Sequence, residues 1–344
     1  MKASQVTLKD IAKRLNLSTS TVSRALQNNP NISPETKKLV VDLAKELDYR
    51  PNALALSLLK RKSHMLGVIV PTMGNNFFST TMSGIEEVAN ECGYQVLICQ
   101  SNEKYEREVA NTDTIVSNHV DGILVSVSQE TRNYDHFRAL YKKGIPLVFF
   151  DRVSDDEEVS KVILDDFDAA FQVVDHLVKS GAKKIAHIAG RKTLLNVKKR
   201  VDGYKAALEK NNIKFDPALV TYTGFNKEDG INGFNEIYKN TGLPDAIFAV
   251  CDDVAVGAYL SMRDKGIKVP EDVLLAGFND DPITSIMFPT LTTIHQKGYE
   301  IGKAATRMLI QQIESDFENE HPRQEVLKGE LIIRESTQRK STRS

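Results

Sequence analysis

Hydrophobic residues recur at helical spacing near the start of the chain. Thr7 is a suitable N-cap for a first helix, with Asp10 at the capping-box position, and this helix should end near Asn16. Its apolar positions follow the i, i+3, i+4, i+7 spacing of an amphipathic helix: Leu8, Ile11, Ala12 and Leu15.

Two further short helices are predicted within residues 1–50. Ser18 can cap a second helix that turns Val22 and Leu26 inward, after a gap that allows only a tight turn. The run Ser33-Pro34-Glu35 supplies a cap, a proline at the first helical position and an early acid for a third helix. The apolar face of the third helix consists of Leu39, Val40, Leu43 and Leu47. The pattern is that of a helix-turn-helix domain.

Residues 51–63 differ from the segments on both sides. Pro51 interrupts the preceding helix, and Asn52 can cap a new one. The run ALALSLL is apolar on too many faces for a short exposed helix, and the basic run KRK follows it. We expect a hinge that needs a partner.

The remaining residues, 64–344, alternate short apolar runs with amphipathic stretches. Seven runs have the length and composition of strands buried on both faces: LGVIVP, YQVLIC, GILVSV, LVFF, KIAHIAG, DAIFAV and VLLAGF. This alternation predicts βαβ units and parallel sheets, and the length favours two α/β lobes over one. We expect chain crossings near 161–166 and near 290–296. The predicted lobes are about 64–161 plus 294–322, and about 162–290 plus 323–340.

The net charge of −1 conceals an asymmetry. Residues 1–62 carry 12 Lys and Arg against 5 Asp and Glu, whereas the other residues carry 33 against 41. A small basic head on an acidic body points to a polyanionic partner such as nucleic acid. Charge alone leaves a Lys-rich surface helix as an equal alternative.

The composition, 41% hydrophobic and 26% charged, is that of a globular protein. No apolar run reaches the roughly 18 residues that a membrane helix needs, and the first residues lack a signal peptide, so we expect a cytoplasmic protein with no membrane partner. The three cysteines, Cys92, Cys99 and Cys251, show no Cys-x-x-Cys spacing. We therefore expect neither a disulfide framework nor a metal or cofactor.

Enzyme motifs do not support catalysis. The sequence contains no G-x-G-x-x-G after the first strand, no phosphate-binding loop and no G-x-S-x-G elbow. The acidic pairs Asp252-Asp253 and Asp280-Asp281 follow strands, where an α/β sheet binds polar ligands. We expect a binding protein with no catalytic residues.

Longer motifs carry a specific resemblance. The segment VTLKDIAKRLNLSTSTVSRALQNNPNISPETKKLVVDLAKELDYRPNALALSLL, with GVIVP, DGILV and PTLTTIHQ farther along, resembles the lactose-repressor (LacI/GalR) family of bacterial transcription regulators over nearly the whole chain. The resemblance implies a helix-turn-helix head, a hinge helix and a two-lobed α/β body similar to periplasmic sugar-binding proteins. It also implies a homodimer on a pseudo-palindromic operator.

The resemblance assigns DNA contacts in the head and hinge. Thr19, Ser20 and Arg24 match base-reading positions, and they lie opposite Val22 and Leu26 on the second helix. Five residues are expected at the DNA backbone: Thr7, Asn31, Ser33, Tyr49 and Asn52. In the hinge, Leu58 matches a minor-groove wedge, and Ala55 is small enough for close approach of a second hinge helix. Leu58 as an interdomain packing residue is the alternative.

The resemblance also selects an effector site between the lobes. It consists of Phe77, Phe78, Asp151, Arg152, Asn196, Arg200, Phe225, Asp252 and Asn279. Aromatic faces with convergent Asp, Asn and Arg suit a polyhydroxylated ring, so we expect a sugar or sugar derivative. Cys251 stands where many members have Asn, and Asn279 where many have Asp. With Asn279 in place of that carboxylate, Asp151 and Asp252 remain as the main anionic acceptors, which favours a neutral sugar over a phosphorylated one, while Arg152 and Arg200 weaken that preference.

The sequence therefore predicts a regulator, with a repressor relieved by an inducer as the favoured form and corepression as the alternative. A cytoplasmic sugar-binding or sugar-converting α/β protein without specific DNA recognition is the competing hypothesis. Such a protein would have no use for Arg24, Asn52 and Leu58. A general nucleoid-type DNA binder, in turn, would have no use for the cleft.

Overall fold

The computed structural model describes residues 6–49, 62–155, 158–315 and 321–339. The chain divides into two units, Met1–Ser63 and His64–Ser344, which we call the head and the body. The hinge residues Asn52, Ala55 and Leu58 lie outside the described residues.

The described part of the head contains three helices: α1 (Leu8–Leu15), α2 (Thr19–Leu26) and α3 (Pro34–Glu46). Their core is formed by six buried side chains: Ile11, Ala12, Val22, Ala25, Val40 and Ala44. The predicted helices are confirmed. Leu39 was expected on the apolar face of α3, but its side chain is 59% exposed, because the helix turns Val40 and Ala44 to the core instead.

The predicted N-caps explain where these helices begin. The Thr7 backbone N–H and hydroxyl both donate to Asp10 Oδ2, at 2.8 and 2.7 Å. The hydroxyls of Ser18 and Ser33 accept from backbone N–H groups of the first turns of α2 and α3, at 3.1 and 3.2 Å. Caps of this kind each contribute about 1 kcal/mol, which matters for helices of two or three turns.

The body contains two parallel sheets with helices between the strands. The strands are β1 (Met65–Val70), β2 (Gln95–Gln100), β3 (Gly122–Val125), β4 (Leu147–Phe150), β5 (Ser160–Leu164), β6 (Ile185–Ala189), β7 (Val220–Tyr222), β8 (Ala246–Ala249), β9 (Leu274–Ala276), β10 (Thr293–His295), β11 (Gln324–Leu327) and β12 (Glu330–Ile332). The helices are α4 (Asn76–Glu91), α5 (Tyr105–Ser117), α6 (Asp135–Lys142), α7 (Asp166–Lys179), α8 (Leu195–Lys210), α9 (Lys227–Thr241), α10 (Asp252–Asp264), α11 (Ile283–Ile286) and α12 (Gly298–Glu314).

Each sheet is the centre of one lobe. The first sheet has the order β11-β5-β4-β3-β1-β2, and the second has the order β7-β6-β8-β9. Strands β10 and β12 form a separate antiparallel pair. All seven predicted strands are present, and most of their apolar residues are buried. The sequence patterns had not indicated β5, β7 and β10–β12. Strands β7, β10 and β12 have three residues each, and β11 is mostly exposed.

The described strands correct the predicted lobe boundaries. The expected division after residue 161 falls inside β5, which pairs with β4 in the first sheet. Strand β11 was expected in the second lobe, but it pairs in parallel with β5, with Val326 opposite Ile163. The chain then returns to the second lobe, where the Ser336 hydroxyl donates to the Leu275 carbonyl at 2.6 Å. A strand joins the sheet whose edge can satisfy its backbone groups, and sequence distance does not decide which sheet that is.

Helices α4 and α12 pack at very short distance in the first lobe. A Cβ added at Gly302 would lie 2.2 Å from the Thr81 carbonyl oxygen, and one at Gly84 would lie 2.1 Å from the Tyr299 carbonyl oxygen. Both obstacles are backbone atoms, which cannot move without separating the helices. Glycine is therefore required at both positions for close approach.

We expect Gly302→Ala to destabilise the body by about 1–3 kcal/mol, because overpacking outweighs the roughly 1 kcal/mol that alanine gains in helix propensity. Gly74→Ala is the matched control, since its Cβ would meet only the Thr72 hydroxyl at 3.3 Å. Urea unfolding of both variants measures the difference. Equal midpoints for Gly302→Ala and the parent would show that the two helices can separate at no cost.

Candidate functional site

The proposed base-reading residues share one exposed face of α2. Thr19, Ser20 and Arg24 are exposed, whereas Val22 and Ala25 on the same helix are buried. Ser18 and Ser20 exchange a hydrogen bond of 2.8 Å between their hydroxyls. Within the described residues the Arg24 guanidinium has no ion-pair partner, so its donors are available to a ligand.

Four of the five proposed backbone contacts lie within the described part of the head. Thr7, Asn31 and Ser33 are exposed, and Thr7 and Ser33 also hold the starts of α1 and α3. Tyr49 is half-buried against the core of the head, and burial raises the pKa of its phenol. It therefore remains a neutral hydrogen-bonding group at physiological pH.

The second candidate site is the cleft between the two lobes of the body, which we call the inner cavity. It lies where strands of both sheets end, as expected for ligand sites in parallel sheets. Eight of the nine predicted effector residues line it: Phe77, Phe78, Asp151, Arg152, Asn196, Arg200, Phe225 and Asn279. Its volume is about 40 Å³, which holds only a few water molecules.

Asp252 is the exception, and its prediction as a lining residue is wrong. Its side chain is fully buried, with Oδ1 accepting from the Thr293 hydroxyl at 2.7 Å and Oδ2 from the Asp281 backbone N–H at 2.8 Å. Burial raises the pKa of this carboxyl to about 7. Because α10 begins at Asp252, neighbouring side chains on its first turn diverge by about 100°. Asp253 therefore lines the inner cavity in its place.

Sequence reasoning missed further lining residues. Asn75 and Gln296 were not proposed, Asp253 was noted only as part of an acidic pair after a strand, and Cys251 only as a departure from the family pattern. Asn75 caps α4 by accepting from the Phe78 N–H at 3.0 Å. Gln296 belongs to the PTLTTIHQ motif, so that motif was the available signal for it.

Arg152 joins the two lobes across the inner cavity. Its Nη1 donates to both Glu103 carboxylate oxygens, at 2.8 and 2.9 Å, within the first lobe. Its guanidinium carbon also lies 4.5 Å from the ring centroid of Phe225, which follows β7 in the second lobe. A cation held over an aromatic face in a desolvated site is attracted to it by about 0.5–2 kcal/mol.

Arg200 is held within the second lobe. Its Nε donates to Asp166 Oδ1 at 2.8 Å, its Nη1 donates to the Val250 carbonyl at 2.6 Å, and the guanidinium stacks on the Phe278 ring at 3.6 Å. The pair with Asp166 is buried, and removing one partner would leave an uncompensated charge. Arg200 therefore supports the wall of the inner cavity as well as facing it.

Asp151 contributes a weakly acidic carboxyl to the inner cavity. Burial raises its pKa to about 6, although the positive charge of Arg152 opposes the shift. Its backbone adopts a left-handed conformation with φ of 57°, which Asn and Asp tolerate better than other residues.

Two features are absent from the described residues. No described helix is long and apolar enough to cross a membrane. No group of three or more His, Cys, Asp or Glu side chains in the described ranges is arranged to hold a metal ion.

Both parts of the chain match known families. Residues 7–52 match the family described as bacterial regulatory proteins, lacI family. Residues 63–335 match the family described as periplasmic binding proteins and sugar binding domain of LacI family.

Curated relatives are similar over most of their own length. Catabolite control protein A of Priestia megaterium is 31% identical over 305 residues, which are 88% of this chain and 91% of the relative. The HTH-type transcriptional regulator RegA of Clostridium acetobutylicum is 35% identical over 307 residues, also 88% and 91%. The ribose operon repressor of Halalkalibacterium halodurans is 30% identical over 335 residues, 96% and 97%.

Solved structures share the fold. A complex of the transcriptional regulator CelR with cellobiose has a TM-score of 0.74 and 26% identity, covering 96% of this chain and all of that chain. A LacI family regulator from Enterococcus faecium with bound ribose has a TM-score of 0.70 and 27% identity, covering 79% and 98%. The lac repressor dimer bound to operator has a TM-score of 0.85 at 24% identity, covering 97% and 99%.

The raised pKa of Asp151 predicts a pH-dependent stability. An ordinary aspartate ionises near 3.8 in the unfolded chain, whereas Asp151 ionises near 6 in the folded body. The folded state keeps this proton to a higher pH than the unfolded chain does. The free energy of unfolding therefore falls as the pH rises from about 4 to about 6.

Asp151→Asn, which keeps the left-handed backbone, should raise the free energy of unfolding by about 1–3 kcal/mol over the parent at pH 7.5 and change it little at pH 4. Asp135→Asn, at a side chain that is 73% exposed, is the control for urea titrations at both pH values. A gain that is the same at pH 4 and pH 7.5 would contradict the shift.

Proposed function

The chain belongs to the LacI family of bacterial regulatory proteins, and we propose that it represses transcription from a pseudo-palindromic operator until a small effector binds between its lobes. Family membership makes it a sequence-specific DNA-binding transcription regulator under small-molecule control. The observation that carries the finer proposal is the pairing, in one chain, of an exposed polar face on α2 with a polar and aromatic cleft in the body.

The head supports base reading by α2. A major groove about 12 Å wide admits one helix, and the face of α2 offers two short hydroxyl side chains and one long guanidinium. Arg24 can donate two parallel hydrogen bonds to guanine, which Thr19 and Ser20 cannot. The hydroxyls and amides of Thr7, Asn31, Ser33, Tyr49 and Asn52 are proposed at phosphates, where they would fix register without reading sequence. Ala55 and Leu58 are proposed for the minor groove of the central step.

The inner cavity supports a sugar as effector. Phe77, Phe78 and Phe225 offer aromatic faces to C–H groups of a ring, while Asn196, Asn279 and Asp253 offer donors and acceptors to its hydroxyls. Two structural neighbours hold cellobiose and ribose, which are both sugars.

Whether the effector acts as an inducer or as a corepressor depends on which lobe arrangement it binds more tightly. A ligand shifts the equilibrium between two lobe arrangements only by binding one of them more tightly. A sugar that bridges Arg152 in the first lobe and Asn196 in the second would fix one closure angle. We favour the arrangement that releases DNA, which makes the effector an inducer, and corepression is the alternative.

The proposed operator symmetry requires a homodimer, and the body offers a surface for one. Ile283, Ile286 and Phe288 lie together on the segment around α11, with exposures of 37%, 77% and 82%. Apolar side chains this exposed and this close are typical of an interaction surface. Sedimentation of the full chain at micromolar concentration should give a dimer, and a monomer there would contradict the model of paired half-sites.

The competing hypothesis is a cytoplasmic sugar-binding or sugar-converting protein. We propose instead a cytoplasmic regulator that releases its ligand unchanged. Gel shifts at rising salt on a palindrome recovered by in vitro selection, and on a scrambled duplex, test this directly. Preference for the palindrome that persists at high salt supports the regulator, whereas equal retardation of both duplexes indicates a general DNA binder. No retardation, with turnover of a bound sugar, would establish the competing hypothesis.

Arg24→Ala should weaken binding to the selected operator by roughly 1–3 kcal/mol and relax selectivity at one base pair of each half-site, because a bidentate contact to one base is lost. Binding to scrambled DNA should change much less. Arg14→Ala is the control, since Arg14 is an exposed arginine of α1 in the same domain. An equal loss on both duplexes would reassign Arg24 to a phosphate contact.

Asn196→Ala should weaken binding of the effector about 5- to 30-fold, because a buried ligand hydroxyl loses its partner. Asn196 suits this test better than Arg200, because truncating Arg200 would also leave the buried Asp166 carboxylate without its partner. A thermal-shift screen of sugars identifies a ligand of the parent, and calorimetry then compares the parent, Asn196→Ala and the exposed control Asn232→Ala. Unchanged affinity in Asn196→Ala would remove Asn196 from the effector site.

A further inference from the structure

A second and larger cavity opens between the two lobes beside the inner cavity, and we call it the outer cavity. Its volume is about 1190 Å³, enough for a phosphorylated metabolite. Its walls are formed by the start of α5 and the loop after β3 in the first lobe, and by the loop after β6 and the end of β7 in the second. The lining residues are Lys104, Tyr105, Glu106, Arg107, Gln129, Glu130, Arg132, Asn133, Arg191, Lys192, Thr193 and Tyr222.

The outer cavity carries an excess of positive charge that is contributed by both lobes. The lining contains two carboxylates, Glu106 and Glu130, and five cationic side chains. The cations are Lys104, Arg107 and Arg132 from the first lobe and Arg191 and Lys192 from the second. Glu130 is already engaged, because it accepts from Lys104 Nζ at 2.6 Å and from the Tyr105 N–H at 3.3 Å.

Three of the cations have no fixed partner. Among the described residues, the guanidinium groups of Arg107, Arg132 and Arg191 form neither a hydrogen bond nor an ion pair within 4 Å. Free guanidinium groups that converge on one cavity match the oxygens of a phosphate, which they bind through two parallel hydrogen bonds.

The wall that presents these groups is held in place by buried contacts. Glu108 is fully buried, and its carboxylate accepts from the Ser128 N–H at 2.7 Å and from the Thr131 hydroxyl at 2.8 Å. These bonds fix the loop that carries Arg132. The Thr193 hydroxyl of the second lobe donates to the Gln129 carbonyl of the same loop at 3.3 Å. The cavity is therefore a preformed structure across both lobes.

Glu103 connects the outer cavity to the inner one. It accepts from the N–H of Gln129, which lines the outer cavity, at 2.8 Å, and it holds Arg152 of the inner cavity through two hydrogen bonds. A group that contacts Gln129 in the outer cavity is thus separated from Arg152 by one side chain.

From this arrangement we infer that the outer cavity binds the phosphate group of a phosphorylated small molecule and that the bound phosphate contacts both lobes. The inference rests on the proposed function only for its regulatory consequence. Without an anion, cations of the two lobes repel one another across the cavity, and a bound phosphate removes this repulsion and favours the closed arrangement. The expectation of a neutral ligand rested on Asp151 and Asp252 as the main anionic acceptors of the cleft, whereas the charges of the outer cavity favour an anionic ligand.

The test uses calorimetry on the full chain at constant ionic strength, with inorganic phosphate, ribose 5-phosphate and ribose as probes. Arg132→Gln/Arg191→Gln removes one free guanidinium from each lobe. Arg138→Gln/Arg263→Gln is the matched control, since it removes one exposed arginine from each lobe outside the outer cavity. Arg132→Lys/Arg191→Lys keeps both charges, and the DNA-binding head is identical in all four proteins.

We expect the parent and the control to bind ribose 5-phosphate equally, and the glutamine pair to bind it at least about 10-fold more weakly, since two charge-assisted contacts are lost. The lysine pair should retain most of the affinity. Tighter binding of ribose 5-phosphate than of inorganic phosphate identifies a phosphate monoester as the occupant, and equal binding identifies free phosphate. Equal affinity of the parent and the glutamine pair, or no binding of either phosphate to the parent, would overturn the inference. In that case operator recognition and binding of a neutral sugar would leave the proposed function standing.

Discussion

The ligand sites of the body depend on the parallel pairing of its strands. In a parallel sheet all carboxyl ends meet at one edge, and the helices return the chain along the faces. Asp151 follows β4 in the first sheet, while Phe225 follows β7 and Asn279 follows β9 in the second. Residues far apart in sequence therefore converge on one cleft because the strands that precede them end there. Direct contacts between these residues are not needed to bring them together.

The two arginines of the inner cavity differ in what they connect. Arg200 pairs with Asp166 and the Val250 carbonyl within the second lobe, so its position does not depend on the distance between the lobes. Arg152 is anchored by Glu103 in one lobe and stacks on Phe225 of the other. A ligand ring that displaces Phe225 from this stack, or joins it, would change a contact between the lobes directly. Arg152 is thus a side chain of the inner cavity that contacts both lobes.

Buried carboxyl groups lie in and around the inner cavity. Burial raises the pKa values of Asp151, Asp166 and Asp252, because each carboxylate is removed from water more than its partners compensate. Asp252 is used within the protein, where it ties the start of α10 to the segments around Asp281 and Thr293. In the described part of the chain, Asp151 accepts a hydrogen bond from the Ser126 hydroxyl at 3.4 Å and lines the inner cavity. Like Asp253, it can accept further hydrogen bonds from a ligand.

The sequence by itself determined the local structure. Caps such as Thr7 with Asp10, and Ser33 before Pro34, act within one turn of chain, so residue identity at fixed spacing was sufficient to place the helices of the head. The seven apolar strands followed from runs of residues for the same reason, and the family resemblance selected eight residues that line the inner cavity. Only the tertiary structure decided the rest. Strand β11 joined the first sheet because β5 offered an unpaired edge, and Asp253 replaced Asp252 at the cleft because of the rotation of one residue on α10. The cations of the outer cavity come from loops separated by about sixty residues of chain, and their convergence is fixed only when both lobes are folded and adjacent.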